Sequence, residues 1–449
     1  MNRKLFGTDG IRGVAGEAPL DPKTVYAVGL ALGRWIANHH LDPEVVIGTD
    51  TRESGRWIAE HVAGGLADAG VRARFAGLIT TPGVAYVART GTFAAGVMIS
   101  ASHNPYKDNG IKVLDHSGFK LPDAQEHAIE QEIFAALEGG VNVRQVPLAV
   151  DESLDRLYVA YLISTFPHRL EGLKLIVDAA HGSASFIGPQ IFEELGAEVK
   201  AIGSSPNGTN INRDCGSLHL DQLRDAVVAD GADLGIAFDG DADRALFVTH
   251  SGKMVDGDAV MLITGVYLNA NGRLAEADGA PVVVATVMSN LGLERALETA
   301  GISMVRTPVG DKYVLEEMLK RGARLGGEQS GHVIFRDYAT TGDGLLTALR
   351  LLEVMCVLGQ SLDELSKGMT VFPQVLKNVR VKERKQLSEL PKVQSEIRDG
   401  EAAFGNTGRI LVRFSGTEPL VRVMVEGADA EMVEFWAERI AGSLREELG

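Results

Sequence analysis

Asp239, Asp241 and Asp243 stand at alternate positions in the stretch DGDADR, directly after the apolar run Leu234–Phe238. In an extended or turning loop this spacing lets three carboxylates face one way. Closely packed anions need a cation, and an all-oxygen donor set suits Mg²⁺ or another hard ion. The stretch opens like an EF-hand loop. That reading fails, because Arg244 and His250 occupy the positions that require glycine and glutamate. The plainer alternative is an exposed acidic turn, and the apolar strand feeding the loop argues against it.

Ser102 lies in SASHNP, after the apolar Gly96–Ile99. No Gly-x-Ser-x-Gly elbow surrounds it, and the adjacent His103 does not make a triad. Taken alone, Ser102 reads as a turn serine. Beside a magnesium loop the reading reverses. A phosphorylated serine supplies one more oxygen ligand and carries a charge of about −1.5 to −2 near neutral pH, which a metal offsets. His103, Asn104 and Lys107 then either support the loop or simply cap and solvate it.

Three further loops carry polar chemistry. Glu328, Gln329, Ser330 and His332 sit between glycines, and this mixture of donors and acceptors suits vicinal sugar hydroxyls. Arg413, Ser415, Gly416 and Thr417 form a tight turn with a guanidinium, hydroxyls and backbone amides, an anion nest by composition. Gly7 to Gly13 frames Arg12 with glycines, either as a plain turn or as a cationic finger. Neither a Walker loop nor a Rossmann glycine fingerprint occurs, so no nucleotide is called for.

The elements that must hold these loops repeat along the chain. Segments starting at Val45, Leu175 and Val282 each open with a short apolar run of buried parallel-strand type. Each passes through a helical pattern closed by a glycine into another β-like run. A further short strand then runs into SASHNP, DGDADR or GEQSGH. Ligands gather at the carboxyl ends of parallel strands, so three such domains are expected to bring the three loops to one cleft. From about Val371 the pattern changes to strands around a tight loop and a final helix. The expected fold is α/β: three similar mixed α/β domains plus a smaller C-terminal α+β domain around a central cleft. The expected boundaries are 1–153, 154–255, 256–370 and 371–449.

Composition narrows the class. The 449 residues are 45% hydrophobic and 23% charged, as in an ordinary multidomain globular protein. The net charge of −16 argues against nucleic acid as a partner. No apolar run is long enough for a membrane span, and the N-terminus lacks a signal-peptide core. Cys215 and Cys356 have no metal-ligand spacing, which fits a reducing cytoplasm.

The stretches FGTDGIRG, MISASHNPYKDNGIKV, FDGDADR, VGDKYV, GEQSGH and RFSGTEP follow one another from end to end. Together they resemble the α-D-phosphohexomutases, with FGTDGIRG, VGDKYV and RFSGTEP pointing to the glucosamine branch. The resemblance implies four domains, the first three alike, around a deep cleft. It implies a phosphoserine at Ser102, whose phosphate shares Mg²⁺ with Asp239, Asp241 and Asp243. It gives sugar hydroxyls to Glu328 and Ser330, and the non-reacting phosphate to Arg413, Ser415, Gly416 and Thr417. Arg12, Lys112 and Arg244 fall beside the transferring phosphoryl group. The implied reaction interconverts glucosamine 6-phosphate and glucosamine 1-phosphate through a 1,6-bisphosphate, which also serves as activator. The alternatives are a glucose or mannose mutase with the same machinery, a silent sugar-phosphate-binding protein, or a phosphatase. The partner is a small phosphosugar, and the chain is a monomer or homodimer.

One position departs from the glucose and mannose branch, which has histidine after Val-Gly where this chain has Asp311. Lys112, His332 and Asp311 all stand as acid/base candidates. Asp311 either recognises the substrate's amine or caps the helix that follows it, Lys312 to Lys320.

Overall fold

The computed structural model describes residues 5–449 apart from 8, 40, 276–278, 384 and 415–418. By its contacts the chain forms two compact units. The larger holds residues 1–288 and 302–367, and the smaller holds residues 289–301 and 368–449.

The larger unit carries three sheets. The first contains β1 (Ile11–Val14), β2 (Glu44–Thr49), β3 (Arg72–Leu78), β4 (Ala95–Ile99) and β5 (Asp108–Asp115) in the order β1-β5-β4-β2-β3. The second contains β6 (Lys174–Asp178), β7 (Glu198–Ile202), β8 (Leu234–Phe238), β9 (Ala245–Thr249) and β10 (Met254–Val255), ordered β10-β9-β8-β6-β7. The third contains β11 (Val282–Thr286), β12 (Ser303–Thr307), β13 (Leu325–Gly327) and β14 (Val333–Phe335), ordered β12-β11-β13-β14.

One topology underlies all three. An apolar first strand (β2, β6 or β11) pairs in parallel with the next two strands in sequence. The fourth strand returns antiparallel against the third. Buried on both faces, β2, β4, β8 and β11 are sealed along their whole length, which is why they read as near-continuous apolar runs. Parallel pairing requires crossovers, and helices supply them, such as Gly55–Asp68 between β2 and β3 and Asp221–Asp230 before β8. The glycines expected after the repeat helices, Gly70, Gly196 and Gly301, all have positive φ.

This topology places the chemistry. SASHNP joins β4 to β5, DGDADR joins β8 to β9, and GEQSGH joins β13 to β14. Each loop is the turn between the third and fourth strands of the shared four-strand unit.

In the smaller unit, β15 (Gln374–Arg380), β16 (Gly408–Phe414) and β17 (Leu420–Gly427) form an antiparallel sheet ordered β15-β17-β16. Helices Pro391–Phe404 and Ala430–Leu448 complete an α+β fold. The first of these helices was not expected from the sequence, because its apolar positions are sparse among charges. Val393, Glu396, Gly400 and Phe404 are its buried face. Helix Leu291–Thr299 also belongs to this unit. A side chain at Gly292 would strike the Thr370 carbonyl oxygen at 1.9 Å, and Glu426 Oε1 accepts the Leu291 N–H at 2.7 Å.

Among the described residues no single helix is long and apolar enough to cross a membrane.

Candidate functional site

Ser102 sits at the carboxyl end of β4 with φ 51°, a left-handed backbone that costs energy for a residue with a Cβ. It is 1% exposed. Its Oγ donates to Asp239 Oδ2 at 2.5 Å and lies 3.3 Å from His103 Nδ1. Its own N–H donates to Ser100 Oγ at 2.9 Å, and Ser100 Oγ in turn donates to Asp50 Oδ2 at 2.6 Å.

Asp239, Asp241 and Asp243 are all buried, and one carboxylate oxygen from each lies within 4.8 Å of the others. The turn is tight: the Ala242 N–H donates to the Asp239 carbonyl at 3.1 Å, and Ala242 has φ 55°. A side chain at Gly240 would strike the Ser102 carbonyl oxygen at 2.4 Å, so only glycine lets the two loops approach. Asp241 Oδ1 and Asp243 Oδ1 are buried and accept no hydrogen bond. Three buried carboxylates this close, two of them with an oxygen that accepts no hydrogen bond, fit a hard divalent cation. Burial, then the neighbouring charges of Asp243 and Asp241, push the Asp239 carboxyl well above its usual range. Burial pushes Asp243 upward, but Lys112, His332 and Arg244 together outweigh it and hold that carboxyl below the ordinary range.

Cations close the site. Lys112, on β5, donates to Asp241 Oδ2 at 2.8 Å and lies 3.1 Å from Asp9 and 3.7 Å from Asp243. Against a large cost of burial, Asp241 and Asp9 keep it firmly protonated. Arg244 lies 3.7 Å from Asp243, and its backbone N–H donates to Asp239 Oδ1 at 3.3 Å. Arg12 pairs with Asp9. The side-chain Nε atoms of Arg12 and Arg244 are buried without hydrogen-bond partners.

The third sheet contributes Glu328, Ser330, His332 and Asp311. Glu328 Oε1 accepts the Gly310 N–H at 2.9 Å, and Ser330 Oγ lies 3.4 Å from Glu328 Oε2. His332 Nδ1 lies 3.6 Å from Asp243, and Nε2 lies 3.6 Å from Asp311. Burial disfavours the imidazolium, while the carboxylates of Asp243 and Asp311 draw the ring pKa upward. The Gly342 N–H nevertheless donates to Nε2 at 3.0 Å, which needs a lone pair there. In this geometry the ring is therefore neutral, with its proton on Nδ1 facing Asp243.

Asp311 does not cap a helix. The helix runs Asp311–Arg321, its N-cap is Gly310, and no side-chain capping bond is made. Asp311 sits in the first turn, and its Oδ2 meets Lys120 at 2.6 Å.

The structure thus gathers Ser102, Arg12, Lys112, Arg244, His332, Asp311, Glu328, Ser330 and the three aspartates. Lys107 is exposed and does not join them. His103 is pulled down to about 4 by burial and then by Arg244 and Arg12, so it stays neutral beside Ser102 at physiological pH. Asn104 braces its own loop through Asp108 at 2.9 Å.

Sequence reasoning passed over several residues. Asp9 is a hub, touching Arg12, Lys112 and Lys120. Thr81 donates to Asp241 both from its hydroxyl and from its backbone N–H. Asp50 and Arg52 form a fully buried ion pair at 2.9 Å under the Ser102 loop. Asp50 and Arg52 belong to TDTRES, the polar turn after β2, a place equivalent to a ligand-facing strand end that could have flagged them.

In the smaller unit, Arg413 on β16 stands opposite Arg422 on β17. Burial and the Arg422 charge both push the Arg413 pKa down. Ser415, Gly416 and Thr417 lie outside the described residues.

Four segments of the chain match the phosphoglucomutase/phosphomannomutase domains: alpha/beta/alpha domain I at residues 3–139, domain II at 155–252, domain III at 256–372 and the C-terminal domain at 376–443. The chain belongs to the phosphoglucomutase/phosphomannomutase family. It is 60% identical over 449 residues to the phosphoglucosamine mutase of Solibacter usitatus, covering 100% of both chains. It is 48% identical to that of Koribacter versatilis, covering 100% of this chain and 98% of the relative. Among solved structures, a phosphoglucomutase/phosphomannomutase family protein from Burkholderia thailandensis superposes with a TM-score of 0.81 at 24% identity, covering 98% of this chain and 97% of that one. The Aspergillus fumigatus N-acetylphosphoglucosamine mutase, solved with GlcNAc-6P and magnesium, gives 0.69 at 18% identity, covering 100% and 96%. These two likenesses establish the shared fold.

Proposed function

We propose that this chain is an isomerase of the phosphohexomutase type that interconverts glucosamine 6-phosphate and glucosamine 1-phosphate. The observation that carries the mechanism is the Ser102 hydroxyl held 2.5 Å from Asp239 inside a buried carboxylate triad. An ordinary turn serine has no reason to be sealed against three aspartates.

Phospho-Ser102 donates its phosphoryl group to the free O1 hydroxyl of glucosamine 6-phosphate. The Oγ–P bond breaks, the O1–P bond forms, and the hydroxyl proton passes to a base in the site. The resulting 1,6-bisphosphate turns over and returns its 6-phosphoryl group to Ser102, leaving glucosamine 1-phosphate. Free sugar 1,6-bisphosphate primes dephosphorylated enzyme by the same transfer. Asp239, Asp241 and Asp243 would hold Mg²⁺ with the phosphoserine, and the bound ion would supply positive charge to the phosphoryl oxygens. Lys112, Arg244 and Arg12 stabilise the charge that spreads over the transferring group. Lys112, held protonated by its carboxylates, serves as a cation and not as the base.

Glu328 and Ser330 take sugar hydroxyls, and Asp311 faces the 2-ammonium group. Arg413, Ser415, Gly416 and Thr417 take the non-reacting phosphate; an anion beside Arg413 relieves the opposed guanidiniums. Labour divides along the chain as phosphoserine (1–153), magnesium (154–255), sugar (256–370) and distal phosphate (371–449). The setting is cytoplasmic.

The test is kcat/KM for glucosamine 6-phosphate against glucose 6-phosphate, with Mg²⁺ and a trace of sugar bisphosphate. A preference of more than about tenfold for the amino sugar supports the reading. Equal rates would move the chain to the glucose branch. Undiminished turnover in Ser102→Ala would reject the nucleophile.

A further inference from the structure

Both peptide groups of Ser102 are pinned. Its N–H is held through Ser100 Oγ to Asp50. Its carbonyl oxygen accepts two donors: Arg52, at 2.9 Å, and the side-chain amide of Asn212, also at 2.9 Å. The same Asn212 Nδ2 reaches the Asn104 carbonyl at 3.0 Å, so one amide group spans both sides of the serine turn. Arg52 is local, three residues past β2 in the same sheet's domain. Asn212 is not: it comes from the stretch between β7 and β8, 110 residues away in sequence.

That stretch is built to hold Asn212 in place. Asn212 has φ 58°, a left-handed conformation that asparagine tolerates better than most residues. Its N–H donates to the Ala180 carbonyl at 2.8 Å. Upstream, the Asn207 N–H donates to Asn210 Oδ1 at 2.9 Å, and Asn210 Nδ2 donates to the Ser205 carbonyl at 3.0 Å. A second tie joins the same two domains, from Thr51 Oγ1 to the His181 carbonyl at 2.5 Å. The aspartate loop grows from the same sheet as the Asn212 stretch, and a Cβ at Gly240 would come within 3.0 Å of Asn212 Nδ2.

We propose that Asn212 is a positioning residue for the Ser102 nucleophile. By holding the Ser102 and Asn104 carbonyls from the second domain, it sets the register of the serine loop against the aspartate loop. Ser102 is left-handed, and in that conformation its Oγ faces Asp239. A peptide plane fixed from both domains keeps that geometry as the phosphoryl group arrives and leaves. The inference rests on the phosphoserine reading given above.

Asn212→Gly separates the side chain from the backbone, because glycine accepts φ 58° at no steric cost. If Asn212 served only the turn, glycine would match the native residue. With the positioning role, Asn212→Gly lowers kcat roughly tenfold to a hundredfold while KM stays within about twofold, the signature of misplaced reacting groups. Asn212→Asp turns a carboxylate oxygen toward two carbonyl oxygens and is expected to be slower still. A direct readout is the rate at which dephosphorylated enzyme takes phosphate from glucose 1,6-bisphosphate onto Ser102, followed by intact mass. It should fall in the order Asn212, glycine, aspartate, with melting temperatures well above the assay temperature. Wild-type kcat and uptake rate in Asn212→Gly overturn the proposal, as does a loss fully accounted for by unfolding at the assay temperature. If the native enzyme fails to isomerise the amino sugar, the substrate assignment fails, and the uptake rates still decide the role of Asn212.

Discussion

Lys112 Nζ lies 2.8 Å from Asp241 Oδ2, with the two side chains 2% and 0% exposed. The pair joins β5 of the first sheet to the aspartate loop of the second. An ammonium buried this deeply survives only because Asp9, Asp241 and Asp243 surround it.

Lys112→Met should therefore damage both stability and turnover. Removing the cation leaves Asp241 and Asp9 without their buried partner, a loss of about 3–5 kcal/mol by analogy with other broken buried pairs. Turnover should fall by at least about a hundredfold, the scale of losing one preorganised electrostatic contact to the transition state. Thermal melts and steady-state kinetics on the same preparation check both. Turnover close to wild type would remove Lys112 from the reaction.

Metal removal gives a second expectation. Three buried carboxylates with two unshared oxygens repel one another until a cation joins them. Chelation by EDTA should abolish turnover and lower the melting temperature. Mg²⁺ at about a hundred times its Kd should return about 2.7 kcal/mol. In Asp241→Asn the Mg²⁺-dependent increment should shrink sharply. Identical melts with and without chelator would argue that the triad holds no ion.

The third expectation concerns pH. Asp343 caps helix Gly344–Leu358 through the Leu346 N–H, and its Oδ2 accepts the Tyr158 hydroxyl at 2.8 Å. Burial raises its carboxyl to about 6, even though these hydrogen bonds pull it down. A carboxyl raised on folding takes up a proton in the native state. Its contribution is full below the unfolded value near 3.8 and is lost as pH climbs through about 6. The stability of the native protein relative to Asp343→Asn should fall across that window, by an amount on the order of 3 kcal/mol. Melting temperatures of both proteins from about pH 3.5 to about pH 7.5 test the slope. A constant difference would mean Asp343 ionises normally.

How far the sequence led depends on the kind of signal. The three loops were legible because a local pattern announces each of them: a short apolar strand running into small polar residues, three times over. The shared order β3-β2-β4-β5, β7-β6-β8-β9 and β12-β11-β13-β14 turns that repetition into spatial equivalence. Asp9 and Lys120 carried no such signal. Each is a single charge outside the named strands and helices, and their pairing spans 111 residues of chain. Asn212 was hidden for the same reason, since its partners are backbone carbonyls, which any sequence supplies. Helix Pro391–Phe404 was missed because buried Glu396 and Gly400 interrupt its apolar face.

Asp311 carries the last prediction. Its place in the first turn of helix Asp311–Arg321 follows Gly310, whose N–H anchors Glu328 Oε1 at 2.9 Å. The residue assigned to sugar hydroxyls and the carboxylate assigned to the amine are therefore one backbone step apart. Against the cost of burial, Lys120 at 2.6 Å keeps Asp311 ionised, below the ordinary carboxylate range. Its ion pair with Lys120 and its approach to the neutral His332 ring both use Oδ2. An ionised carboxylate set beside the glutamate assigned to sugar hydroxyls should attract a substrate ammonium and offer nothing comparable to a hydroxyl. Asp311→Asn keeps the shape and removes the charge. The kcat/KM ratio of glucosamine 6-phosphate to glucose 6-phosphate should then drop by about tenfold, ~1.4 kcal/mol of discrimination. Activity on glucose 6-phosphate should change far less. If both substrates slow by the same factor, Asp311 serves to hold Lys120 and His332, and recognition of the amine belongs elsewhere in the site.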